Sequence, residues 1–204
     1  MNLSFTIVDV FAEEKYAGNQ LAVVRGAAGL SDEILQKITR EMNYSETTFI
    51  LSEEERDGGY DVRIFTPGGE VPFAGHPTLG TAYVLRDEIL ATPAERVVLN
   101  LEAGRIPVTF GDVLWMRQLP PTFGPVLAPN RLAQVLGLEE DDLEDRHPGQ
   151  VVSTGLPAVV VPLRSLDALR RCRVNWELYS ETAAAGKNLY AFCLEPHGDG
   201  PGDI

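Results

Sequence analysis

Apolar and polar positions alternate along Phe5-Thr6-Ile7-Val8-Asp9-Val10, which predicts a strand. Leu21-Ala22-Val23-Val24, reached after the Gly18-Asn19 turn signal, predicts its hairpin partner. The period then changes: Ile34, Leu35, Ile38 and Met42 recur at helical spacing and form one apolar stripe. Ser31 stands before them as an N-cap, Asp32 and Glu33 suit the positive end of the helix dipole, and Asn43 is a stop signal. Residues 47–51 and 60–66 return to strand patterning around a polar stretch ending in Asp57-Gly58-Gly59, which is hairpin chemistry. From Pro77, read as the first helical position, the run to Leu85 carries no charge, predicting a helix buried on most sides. Strands rich in β-branched residues follow at 96–101, 106–110 and 114–119.

Pro120-Pro121 and the loop to Pro129 mark a boundary. Beyond it, Asn130 caps a short amphipathic helix carrying Leu132, Val135 and Leu136. Strands at 150–153 and 158–162, a helix at 166–171 and a strand at 189–194 repeat the earlier alternation. The pattern predicts an α+β chain of two lobes, residues 1–120 and 121–204, sizes at which compact lobes form. The last stretch, His197 to Ile204, has loop composition directly after a strand. It reads either as a disordered tail or as the sign of a lobe that lacks a piece.

Charge narrows the partners. The 204 residues carry 17 Lys and Arg against 30 Asp and Glu, a net −13 with no basic cluster, so phosphate backbones and anionic membranes are poor candidate partners. The acidic runs at Glu53-Glu54-Glu55 and Glu139-Glu140-Asp141-Asp142 lack the spaced ligands and Gly of a calcium loop and read as solvated charge. Two cysteines cannot build a disulfide framework, and the N-terminus lacks the basic and apolar regions of a secretion signal, so a cytoplasmic protein is expected. No apolar stretch approaches membrane-spanning length.

Glu46, within Ser45-Glu46-Thr47, sits at a helix-to-strand junction where a strand end can aim a carboxylate into a cleft; in isolation such a Glu is more often exposed or bonded to a backbone amide. Phe73-Ala74-Gly75-His76-Pro77-Thr78 is a stronger signal, because small residues admit a ligand to the backbone and the following helix offers free N–H groups to an anion. His76 there can hydrogen-bond a carboxylate, polarise a carbonyl, or merely satisfy a local carbonyl. Glu70 reads as a loop charge or a structural salt bridge rather than a second acid. His147 and His197 have no ligand-spaced partners, so no metal site is expected. Cys172 follows two arginines that can depress its pKa, yet reads as a bystander thiol. No nucleotide-binding or serine-hydrolase motif is present.

Taken together and in order, Val8-Asp9-Val10-Phe11, Gly18-Asn19-Gln20-Leu21-Ala22-Val23-Val24, Ser45-Glu46-Thr47-Thr48-Phe49, Arg63-Ile64-Phe65-Thr66-Pro67 and Phe73 to Ala82 resemble the PhzF family of phenazine biosynthesis. Ser153-Thr154-Gly155-Leu156-Pro157-Ala158 resembles the start of that family's second lobe, so the similarity runs over residues 5–195. The resemblance implies a diaminopimelate-epimerase-like fold, two similar lobes each with an antiparallel sheet wrapped around a central helix, the second lobe here incomplete. It implies a cofactor-independent isomerase, a homodimer, acting on a small carboxylate-bearing substrate such as a dihydro-hydroxyanthranilate. Glu46 matches the family's single acid/base, and Gly75, His76, Pro77 and Thr78 its substrate-holding segment. Gly75 stands where related epimerases carry a thiol, which argues against a two-cysteine racemase.

A single partly desolvated carboxylate suits that chemistry, since it can take a proton from one carbon and return it to another. The family's later Arg-x-Phe-x-Pro strand and Glu-Asp-Pro-x-Thr-Gly-Ser-Ala segment are absent from this sequence. The alternative is therefore an inactive, truncated relative that binds a small metabolite or only dimerises.

Overall fold

In the computed structural model, which describes residues 2–92 and 94–195, the alternating first segment forms strand β1 (Ser4–Val10), paired antiparallel with β2 (Asn19–Arg25). The predicted tail from His197 onward lies outside the described residues. The chain divides into two compact units between Leu119 and Pro120.

In the first unit, helix α1 (Asp32–Met42) connects β2 to β3 (Glu46–Ile50), and those two strands are parallel. This departs from the purely antiparallel expectation: the helical crossover returns the chain to the same end of the sheet, as parallel pairing requires. Strand β4 (Tyr60–Thr66) pairs antiparallel with β3 through a turn in which Asp57 and Gly58 take φ of 50° and 75°, and Arg56 and Gly59 exchange both backbone bonds. Two successive left-handed residues match the Asp-Gly signal read from the sequence. Strands β5 (Gly69–Val71), β6 (Arg96–Leu101), β7 (Gly104–Phe110) and β8 (Leu114–Met116) complete a sheet ordered β1-β2-β3-β4-β6-β7-β8, with β5 beside β4 and a second parallel contact between β4 and β6.

Helix α2 (Gly75–Val84) touches β1, β2, β3, β6, β7 and β8, so the sheet curls around it. Its buried residues occupy nearly every side, which explains its lack of charge; a π-helical turn, Leu85–Ile89, continues it. The helix begins two residues earlier than predicted. Ala74 is the extended N-cap and Pro77 the third helical residue, where its missing N–H still costs no helical bond. On the sheet's other face, α1 packs Leu35 and Ile38 against Val24, Phe49 and Phe65 and buries Thr39. Ile34, predicted within the stripe, is 41% exposed, because that face centres on Leu35, Ile38, Thr39 and Met42. Ser31 holds the N-cap position but its hydroxyl makes no cap bond, while Asn43 terminates the helix in the left-handed conformation.

The second unit is a sheet ordered β12-β11-β10-β9. It comprises β9 (Thr122–Val126), β10 (Gln150–Ser153), β11 (Pro157–Pro162) and β12 (Asn188–Phe192), the last parallel to β11. Helices α3 (Pro129–Leu136), α4 (Leu166–Arg171) and α5 (Trp176–Ser180) share a core with the face bearing Val151, Val159 and Val161. Ala128, not Asn130, is the N-cap of α3, because Pro129 takes the first helical position for which its fixed φ is suited. Strand β9 falls in the segment expected to be a loop; it is an edge strand and tolerates Pro125 for that reason.

Candidate active site

Three elements of the first unit begin at one place. Glu46 is the first residue of β3 and pairs in register with Leu21 of β2; Asn19 opens β2; His76 is the second residue of α2. Alternation along β3 turns Glu46 and Thr48 toward α2 and leaves Thr47 and Phe49 on the α1 side. The frame is pinned one turn away. Thr81 Oγ1 lies 2.8 Å from Thr48 Oγ1 and 2.7 Å from the Pro77 carbonyl oxygen, all within the core. Each hydroxyl has one proton, so Thr48 donates to Thr81, which donates to Pro77.

Within this frame Glu46 Oε2 and His76 Nε2 stand 3.6 Å apart, and both atoms are buried without a hydrogen-bond partner. The separation is too long for a direct hydrogen bond, so each group keeps its hydrogen-bonding capacity unspent. Burial pushes the His76 pKa below its ordinary value of 6.5, outweighing the opposing pull of the Glu46 charge and the Gln20 backbone. The ring is thus a neutral hydrogen-bonding group at neutral pH, and its contact with Glu46 is not a standing ion pair. At the ring's other nitrogen, Asn19 Nδ2 lies 3.4 Å from Nδ1, and Ser45 Oγ lies 3.3 Å from Asn19 Oδ1.

Gly75 and His76 present first-turn backbone N–H groups that have no intrahelical acceptor, the donor set an anion uses. A Cβ added at Gly75 would meet only the Met116 methyl, at 3.7 Å. Neither the local packing nor the backbone therefore demands glycine here, and the space in front of it is open to a ligand. Gly80 on the same helix is different: a Cβ there would come within 2.7 Å of Leu21, 2.9 Å of Val10 and 3.0 Å of Val8. Pro77 and Thr78 are buried, and the Thr78 hydroxyl donates to the Ala74 carbonyl at 2.7 Å.

Other sequence candidates lie apart from this cluster. Glu70 pairs with Arg63 at 2.5 Å, and Arg63 also bonds Asp32 at 2.8 Å, a structural bridge across β4, β5 and α1. Cys172 belongs to the second unit and its pKa is raised, burial outweighing Arg171, contrary to the depression two neighbouring arginines suggested. His147 is exposed. Among the described residues no cluster of His, Cys, Asp and Glu could hold a metal, and no helix is long and apolar enough to cross a membrane. Asn19, in the sequence a turn residue within the Gly18-to-Val24 stretch, is a site residue that was not anticipated; its place after Gly18 at the start of β2 was the available clue. Gly18 is itself constrained, since a Cβ there would lie 2.5 Å from the Val10 carbonyl oxygen.

A family model described as phenazine biosynthesis-like protein matches residues 8–194. The chain is 36% identical over 206 residues to an uncharacterised isomerase of Pasteurella multocida, an alignment covering 94% of this chain and 65% of that one. It is 39% identical over 171 residues to the trans-2,3-dihydro-3-hydroxyanthranilate isomerase of Pseudomonas aeruginosa, covering 81% and 59% respectively. The chain thus spans about two thirds of the length of such relatives. Among solved structures it is similar to a PhzF-family phenazine biosynthesis protein of Bacillus anthracis, with TM-score 0.79, 30% identity, and coverage of 98% of this chain and 69% of that one.

Proposed function

Because this chain belongs to the phenazine biosynthesis-like PhzF family, we propose that it acts as, or as part of, a cofactor-independent isomerase that moves a proton between carbons of a small carboxylate-bearing substrate. The substrate class is taken from the dihydro-hydroxyanthranilate named for the Pseudomonas aeruginosa relative. The observation that carries the reading is the pair of buried, unpartnered atoms, Glu46 Oε2 and His76 Nε2, facing each other at 3.6 Å.

In this mechanism the Glu46 carboxylate accepts a proton from one carbon of the bound ring. The electron pair left behind delocalises toward the substrate's unsaturation as an enol-like state, and the new carboxylic acid returns the proton to a second carbon. Atoms and electrons balance without an oxidant or reductant. Neutral His76 hydrogen-bonds the substrate beside the reacting carbon, while the Gly75 and His76 N–H groups hold its carboxylate and stabilise the charge that develops between transfers. Pro77 shapes this turn without donating, and Thr78 supports it from below through Ala74. The same family reading carries a homodimer, which light scattering on the purified chain tests.

The decisive experiment is proton exchange followed by NMR in D2O with dihydro-hydroxyanthranilate, comparing the wild-type chain with Glu46→Gln. Deuterium incorporation is expected for the wild type and absent in the variant, with ligand binding retained. Unchanged exchange in Glu46→Gln would remove Glu46 from the mechanism.

A further inference from the structure

The side-chain amide of Asn19 has donors only at Nδ2, so at 3.4 Å it bonds the His76 ring only when Nδ1 carries a lone pair. Ser45 Oγ, donating to Asn19 Oδ1 at 3.3 Å, holds the amide in the orientation that turns Nδ2 to the ring. On the ring's far side, the tautomer with its proton on Nδ1 would set the Nε2 lone pair against the Glu46 Oε2 oxygen across 3.6 Å. With the proton on Nε2 the ring instead aims an N–H at the same space.

We propose that Asn19 is a positioning residue that fixes His76 as its Nε2–H tautomer, so that the ring presents a donor beside the Glu46 carboxylate. The opposing influence is the Gln20 backbone, which favours the charged ring and therefore meets it as an acceptor, the carbonyl oxygen. A neutral hydrogen bond of this kind changes a tautomer ratio by up to about tenfold. The tautomer assignment is independent of the reaction; only its catalytic consequence rests on the reading of Glu46 as the acid/base.

Long-range proton–nitrogen NMR on the nitrogen-15-labelled chain reads the tautomer directly. The His76 signals are separated from those of His147 and His197 by comparison with His76→Gln. Above the ring's titration, the wild type is expected to show an unprotonated Nδ1 and a protonated Nε2. Asn19→Asp has nearly the same shape and an acceptor in place of the donor, so it is expected to move the proton to Nδ1; Asn19→Ala is expected to shift the ratio in the same direction. A wild type with protonated Nδ1, or one tautomer common to all three proteins, overturns the proposal. Proton exchange in Asn19→Asp is expected to fall about tenfold, the factor one such bond supplies. If the wild type exchanges no substrate proton, the isomerase reading fails while the spectra still decide the tautomer.

Discussion

The hydroxyl pair between β3 and α2 makes a quantitative prediction about what holds the site in shape. Thr48 and Thr81 are both fully buried, and the proton sequence runs Thr48 to Thr81 to the Pro77 carbonyl. Thr48→Val removes the first donor and leaves Thr81 bonded to Pro77, so it forfeits one neutral hydrogen bond, about 0.5–1.5 kcal/mol. Thr81→Val removes the middle member and strands the Thr48 hydroxyl inside the core, adding a desolvation penalty of about 1–3 kcal/mol. The double variant has no stranded hydroxyl, so it should be about 1–3 kcal/mol more stable than Thr81→Val alone, giving a coupling energy of at least about 1.5 kcal/mol. Urea unfolding followed by Trp115 fluorescence in a Trp176→Phe background reports on the first unit, since these are the chain's two tryptophans. Equal single-variant costs that simply add would refute the proposed hydroxyl chain.

Two glycines of α2 should respond in opposite ways. Gly80→Ala gains about 1 kcal/mol of helix propensity but forces a methyl against Leu21, Val10 and Val8, an overpacking cost of about 1–3 kcal/mol, so a lowered urea midpoint is expected and a raised one contradicts the packing. Gly75→Ala meets only Met116 and should leave stability within about 0.5 kcal/mol of wild type while reducing substrate turnover; an unaffected turnover would exclude ligand approach at that position. His76, whose folded pKa lies below its unfolded one, contributes stability that is fully present above the unfolded value near 6.5 and is lost as pH falls toward the folded value. The wild-type stability should therefore fall more steeply than that of His76→Gln as pH is lowered below neutrality, and parallel curves would refute the sign.

Strand alternation and the Asp57-Gly58 turn were legible because a single local rule governs each. Helix α2 was legible from the absence of charge, which burial on nearly all sides requires. The errors arose where position within the fold outweighed composition. Strand β9 carries Gly124 and Pro125 and reads as a loop, yet an edge strand needs pairing on one side only. Ile34 fits a helical stripe, but which residues of that stripe meet β3 and β4 depends on how α1 lies across the sheet. At the site, Glu46 and His76 stood out through their sequence surroundings, while the contact of Asn19 with His76 spans 57 positions and has no local signature.

Asn19 and Glu46 open β2 and β3, Gly75 and His76 open α2, and each has backbone ladders or helical turns on its downstream side alone. Upstream of each lies a connection, the segments ending at Gly18, Ser45 and Ala74. In the proposed isomerase, reactivity and selectivity are thereby separable in inheritance. The connections can lengthen, shorten or exchange residues and recast the rim that meets a substrate, while the carboxylate and imidazole stay on rails set by the sheet and the central helix. A lineage carrying this unit can diversify its ligands without rebuilding the proton chemistry proposed for it.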